Sequence, residues 1–153
     1  MRYMAIGKTS FKLTYAVFDG RTLVAYGKHA LGATNENRRL VEWKRLIDGL
    51  IETCNPSFVL THLLDKERMM KKDIEKIVEI RTVTKIAVEE KRKLYAEFKT
   101  DGWEWRIVGK RPTAKRKLEL VNRDYDLGLK DVDVADAIIL CEGVAWQKLQ
   151  IGV

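Results

Sequence analysis

Phe11-Lys12-Leu13-Thr14-Tyr15-Ala16-Val17-Phe18-Asp19-Gly20-Arg21-Thr22-Leu23-Val24-Ala25-Tyr26-Gly27 alternates through its first half, breaks at Asp19-Gly20, and resumes. A period of two residues marks a half-buried strand, and Asp-Gly between two such runs is a strong hairpin signal. Phe11–Val17 and Leu23–Leu31 are therefore expected to pair antiparallel. Tyr3-Met4-Ala5-Ile6, just upstream, supplies a third strand, so the chain opens as a meander.

Downstream the period changes. Asn35 or Asn37 is placed to cap a helix running to Cys54, with Leu40, Trp43, Ile47, Leu50, Ile51 and Cys54 on one face, and Asn55-Pro56 ends it. Ser57–Leu64 is a short, nearly continuous apolar run, as expected of a strand covered on both faces. A basic segment follows, Lys66, Arg68, Lys71 and Lys72 around Met69-Met70. The pattern then predicts a long helix from Asp73 to Phe98, a stop at Thr100-Asp101-Gly102, and a strand over Trp103–Val108. Gly109–Pro112 reads as a loop, and Ala114–Tyr125 as a helix with Ala114, Leu118, Val121 and Tyr125 inward. A meander followed by alternating helix and strand implies an α/β fold: one mixed sheet, three antiparallel strands plus two parallel ones, with helices on its faces.

The last helix begins near Asp131, in Asp131-Val132-Asp133-Val134-Ala135-Asp136-Ala137-Ile138-Ile139-Leu140-Cys141-Glu142-Gly143. Asp133 and Asp136 are three apart and share a helical face, beside an apolar stripe of Ala137, Leu140, Cys141 and Val144. Such a pair suits a hydrated magnesium-type ion, and equally suits acid at a helix N-terminus with Asp131 or Asp133 as the cap.

Composition narrows the class. The 153 residues include 46% hydrophobic ones and only 2 prolines, so a single folded domain over 1–153 is expected. No apolar stretch is long enough to span a bilayer, and Met1-Arg2-Tyr3 does not open a signal peptide, so a cytoplasmic location is expected. Cys54 and Cys141 lack the spacing of a zinc or redox motif and read as buried thiols. Lys and Arg total 29 against 22 acids, a net charge of +7, which favours polyanionic partners and nucleic acid first. The densest basic cluster is Lys110, Arg111, Lys115, Arg116 and Lys117, at a strand-to-helix junction behind Trp103 and Trp105. It reads either as a phosphate-binding face or as the solvated side of a helix.

Met4-Ala5-Ile6-Gly7-Lys8-Thr9-Ser10, Tyr15 to Gly27, and Asp133-Val134-Ala135-Asp136-Ala137, in that order, resemble the RuvC family of Holliday-junction resolvases. The similarity is to its short phage and mobile-element members within the ribonuclease H-like superfamily, and it spans essentially the whole chain. The resemblance implies a homodimer that cuts branched DNA with divalent metal. The metal would be held by acids from the first strand, the fourth strand and the last helix. Asp133 and Asp136 match the last-helix pair, whereas Gly7 and Thr61 stand where the strand acids belong. Two-metal cleavage holds ions about 4 Å apart around a central carboxylate, and glycine offers none. Asp65 lies about 13 Å along an extended strand from Thr61, too far to substitute.

The expectation is thus a RuvC-like protein that binds branched or duplex DNA through phosphates, its nuclease impaired or lost. At most one weakly held Mg2+ or Mn2+ would sit on Asp133 and Asp136. Lys8 is a candidate ammonium for the vacated metal space, and His62 a candidate ligand for a softer ion. Two alternatives stay open: an active junction endonuclease with a non-standard metal site, and a dimeric interaction protein that does not bind DNA.

Overall fold

A computed structural model describes residues 1–33, 35–63, 70–98, 112–147 and 149. The chain forms β1 (Arg2–Ile6), β2 (Lys12–Asp19), β3 (Thr22–Ala30), α1 (Glu36–Cys54), β4 (Phe58–His62), α2 (Lys71–Glu90), β5 (Leu94–Phe98), α3 (Ala114–Tyr125) and α4 (Val132–Ala145). The strands make one sheet in the order β3-β2-β1-β4-β5. β1 and β2, and β2 and β3, pair antiparallel; β4 adds parallel to β1, and β5 parallel to β4. The three-strand meander with two parallel additions matches the expected mixed sheet.

Alternation along the inner strands builds two cores. Ala5, Ala16, Phe18, Leu60 and Phe98 face α3 and α4, packing on Val121, Val134, Ile138 and Cys141. Met4, Ile6, Leu13, Val17 and Val59 face α1 and α2, packing on Trp43, Ile47, Ile80 and Val88. With a helix layer on either side, β1 and β4 are buried or half-buried at every position, as parallel strands covered on both faces must be. Trp43 Nε1 donates to Thr84 Oγ1 at 2.9 Å, tying α1 to α2 within the second core. No helix of the described residues is long and apolar enough to cross a membrane.

Local chemistry fixes the element ends. Asn35 Oδ1 accepts from the backbone N–H of Asn37 at 2.9 Å and of Arg38 at 3.3 Å, opening α1, and Asn55 closes it in the left-handed region at φ 48°. The hairpin turn is Gly20-Arg21 rather than Asp19-Gly20: Asp19 pairs with Thr22, and Gly20 takes φ +59°.

The largest departure from expectation is in the 73–98 segment. It is not one helix. α2 ends at Glu90, Arg92 turns the chain at φ 56°, and Leu94–Phe98 becomes the fifth strand. Leu94, Ala96 and Glu97 are good helix formers, so the local pattern gave no break. Pairing with β4 decides the matter, as tertiary context overrides propensity. The fifth strand was expected at 103–108, which lies outside the described residues.

α4 also differs from a rim helix. Every residue from Val134 to Val144 is buried, so it is a central helix enclosed by the sheet and α3 rather than one with a single apolar stripe.

Candidate functional site

Asp131 is the cap of α4. Its Oδ1 accepts the Asp133 N–H at 2.9 Å, leaving Oδ2 for cations. Lys12, the first residue of β2, reaches Asp131 Oδ2 at 2.6 Å and Asp133 Oδ2 at 2.9 Å. Lys28 of β3 stands 3.4 Å from the same Asp131 oxygen. Strand register explains the convergence: Lys12 pairs with Ala30 and Thr14 with Lys28, so Lys12, Thr14 and Lys28 all face α4. Partial burial pushes the Asp131 carboxyl up, but the Lys12 ammonium, the Asp133 N–H and Lys28 outweigh it and hold the carboxyl below its ordinary value. Burial likewise pulls the Lys12 ammonium down, and hydrogen bonds to Asp131 and Asp133 more than reverse it.

One turn further, Asp136 Oδ1 accepts from Lys117 Nζ of α3 at 2.9 Å. This pair is deep: the side chains are 8% and 7% exposed. Breaking a buried ion pair by removing one partner typically costs about 3–5 kcal/mol, because the other charge is stranded. Lys117 therefore leaves the exposed basic face to which its sequence neighbours assigned it. Its spacing to Leu120 and Val121 turns it inward.

Gly7 follows β1 and donates its N–H to Thr14 O at 2.9 Å. A Cβ built there would overlap Thr14 Oγ1 and stand 3.2 Å from Thr14 Cβ and 3.6 Å from the Asp133 carbonyl. The space that a side chain at position 7 would fill toward α4 is thus held by Thr14. Thr14 is 1% exposed, and its hydroxyl has no hydrogen-bond partner among the described residues.

The fourth-strand assignment changes. Ile6 pairs with Thr61, and both face α1 and α2. There the Thr61 hydroxyl meets the Tyr95 hydroxyl at 2.6 Å, and Tyr95 donates on to Glu97 Oε1 at 3.0 Å. Lys85 closes that network 3.2 Å from Glu97 Oε1. Thr61 is therefore on the far side of the sheet from Asp133 and Asp136. His62, paired with Phe98 of the first core, shares their face with Leu60, and it is 3% exposed. Thr61 and His62, neighbours on β4, thus lie on opposite faces of the sheet.

The ammonium at Asp133 is that of Lys12, where the sequence pointed to Lys8. Lys115 and Arg116 are exposed on the first turn of α3, Arg116 lying 3.6 Å from Glu119. Lys110 and Arg111 lie outside the described residues, as do Trp103, Trp105, Lys66 and Arg68.

No protein-family model matches the sequence, and no curated protein matches it. Solved structures do. RuvC from Thermus thermophilus superposes with a TM-score of 0.77 at 10% identity, covering 97% of this chain and 95% of that one. The same organism's RuvC in complex with Holliday junction substrate gives 0.80 at 12% identity, over 97% and 94%. The yeast mitochondrial Holliday junction resolvase Ydc2 gives 0.66 at 12% identity, over 95% and 78%. The fold is RuvC-like.

By resemblance such a fold implies a divalent metal at the head of the last helix. The residues here do not fit one. Asp131, Asp133 and Asp136 already face the ammonium groups of Lys12, Lys28 and Lys117, Gly7 offers no ligand, and Thr14 fills the space beside it. Among the described residues, no three His, Cys, Asp or Glu side chains converge as a metal site.

Proposed function

We propose that this protein is a RuvC-like nucleic-acid-binding protein that recognises branched or duplex DNA through its phosphates and does not cut it. The observation that carries the reading is the pairing of the α4 carboxylates with lysines inside a RuvC-like fold. An acidic centre paired in this way does not repel a phosphate backbone as bare carboxylates would, and it lacks the open carboxylates that hold catalytic ions. The net charge of +7 supports a polyanionic partner. Exposed Lys115 and Arg116 at the start of α3 would contact phosphate, with Lys110 and Arg111 of the same cluster.

A homodimer suits a substrate with equivalent arms. Val78 and Ile86 point outward from α2, 45% and 48% exposed, and offer an apolar seam for the second copy.

The test is a gel shift with a four-way junction and a matched duplex across a salt series. Retarded complexes whose affinity falls steeply with salt are expected. Lys115→Ala with Arg116→Ala should weaken binding to every sequence alike and flatten the slope by about one unit per lost phosphate contact. Silence at low salt from a stable dimer would favour the interaction-protein alternative.

A further inference from the structure

We infer that Lys12 and Lys117 are built-in counterions that have taken over the role of divalent ions at the head of α4, making the centre metal-independent. The inference concerns the cation site alone and stands whether or not DNA is the ligand.

Among the described residues, the carboxylates at the head of α4 are matched by lysines without an ion. Three carboxylates, Asp131, Asp133 and Asp136, face three ammonium groups, Lys12, Lys28 and Lys117, at 2.6 to 3.4 Å. The lysines come from β2, β3 and α3; Lys12 and Lys28 reach across 119 and 103 residues and Lys117 across 19, so the pairing ties both the sheet and the neighbouring helix to α4, as a bound ion would. Lys12 bridges the two carboxylates at the mouth, where side chains are 12% and 22% exposed. Lys117 serves the buried one. A divalent ion entering between Asp133 and Asp136 would have to expel both ammonium groups. Lys12 has an exit toward solvent at 21% exposure, whereas Lys117 is enclosed by the α3–α4 contact at 7%. Displacing Lys117 strands a charge in an apolar core, a cost of the same order as breaking the pair.

The sheet side agrees. Gly7 and Thr14 together remove a ligand position and fill its volume, and among the described residues no three His, Cys, Asp or Glu side chains converge as a metal site. One lost acid would leave a weakened site. Here the anionic side is balanced by lysine and the facing position is packed shut.

Thermal unfolding in chelator and in millimolar manganese reads the inference directly, with manganese electron spin resonance counting bound ions. The wild type should melt at the same temperature in both and bind no ion. Lys117→Met removes the ammonium and keeps the stem. That variant should lose stability in chelator and regain about 5 °C or more in manganese. Lys117→Met with Asp136→Leu removes both charges, should restore stability near the wild type, and should ignore manganese. Should Lys117→Met not fold, Lys12→Met at the mouth carries the same comparison, with manganese-dependent melting expected. A wild type that gains several degrees with manganese, or single-lysine variants Lys117→Met and Lys12→Met that melt alike in chelator and manganese, would overturn the inference.

Discussion

An aspartate introduced at Gly7 would meet Thr14 before it met any cation. Its Cβ would overlap the Thr14 hydroxyl in a core that has no slack, and overpacking of this kind costs about 1–3 kcal/mol. Gly7→Asp alone should therefore lower the urea midpoint, and adding Thr14→Gly should recover part of the loss by clearing the overlap. A single substitution that leaves the midpoint unchanged would mean Thr14 does not fill that space. At this scale the sequence disclosed what is missing better than what replaced it. By resemblance, Gly7 stands where an acid would be expected. Lys117 is not visible as a counterion, because it sits in a run of basic residues that reads as a surface cluster. Its inward position follows from the 117, 120, 121 spacing, a signal present in the sequence and outweighed by its charge. Lys12 was legible in the same way, sharing the parity of Ala16 and Phe18 on β2, which puts it on the buried face. Which of Thr61 and His62 faces α4 was not legible, because only register with β1 tells which of two neighbours does.

Helix ends were largely legible because they are written in cap chemistry. Asn35 opens α1, Thr113 opens α3 by accepting the Arg116 N–H, and Asp131 opens α4. The junction of α2 and β5 was not legible. It depends on partners some thirty residues away along β4, and its only local mark is Arg92 in the left-handed region at φ 56°. That backbone geometry gives a prediction with a sign. In a turn with positive φ, Arg92→Gly relieves strain and should raise stability by up to about 1 kcal/mol. Within an uninterrupted helix the same change would lower it by about 1 kcal/mol. Chemical denaturation of the two proteins distinguishes the outcomes, and a loss would contradict the strand at Leu94–Phe98.

The whole molecule keeps a RuvC-like layout at 10% and 12% identity to the Thermus thermophilus structures, so little more than the hydrophobic pattern and element order carries the fold. Ala5, Leu60 and Ile138 pack the sheet against α4, with the paired side chains at the head of α4 outside that apolar cluster. Within this fold the chain carries a net charge of +7, and the carboxylates at the head of α4 are paired with lysines. The most direct measurement is to incubate the protein with a four-way junction in chelator and in manganese, and follow binding and strand integrity in the same samples. Equal retardation of the junction in both, with intact strands throughout, is the expected result. Binding that requires manganese, or symmetric nicks that disappear with Asp133→Asn, would contradict it.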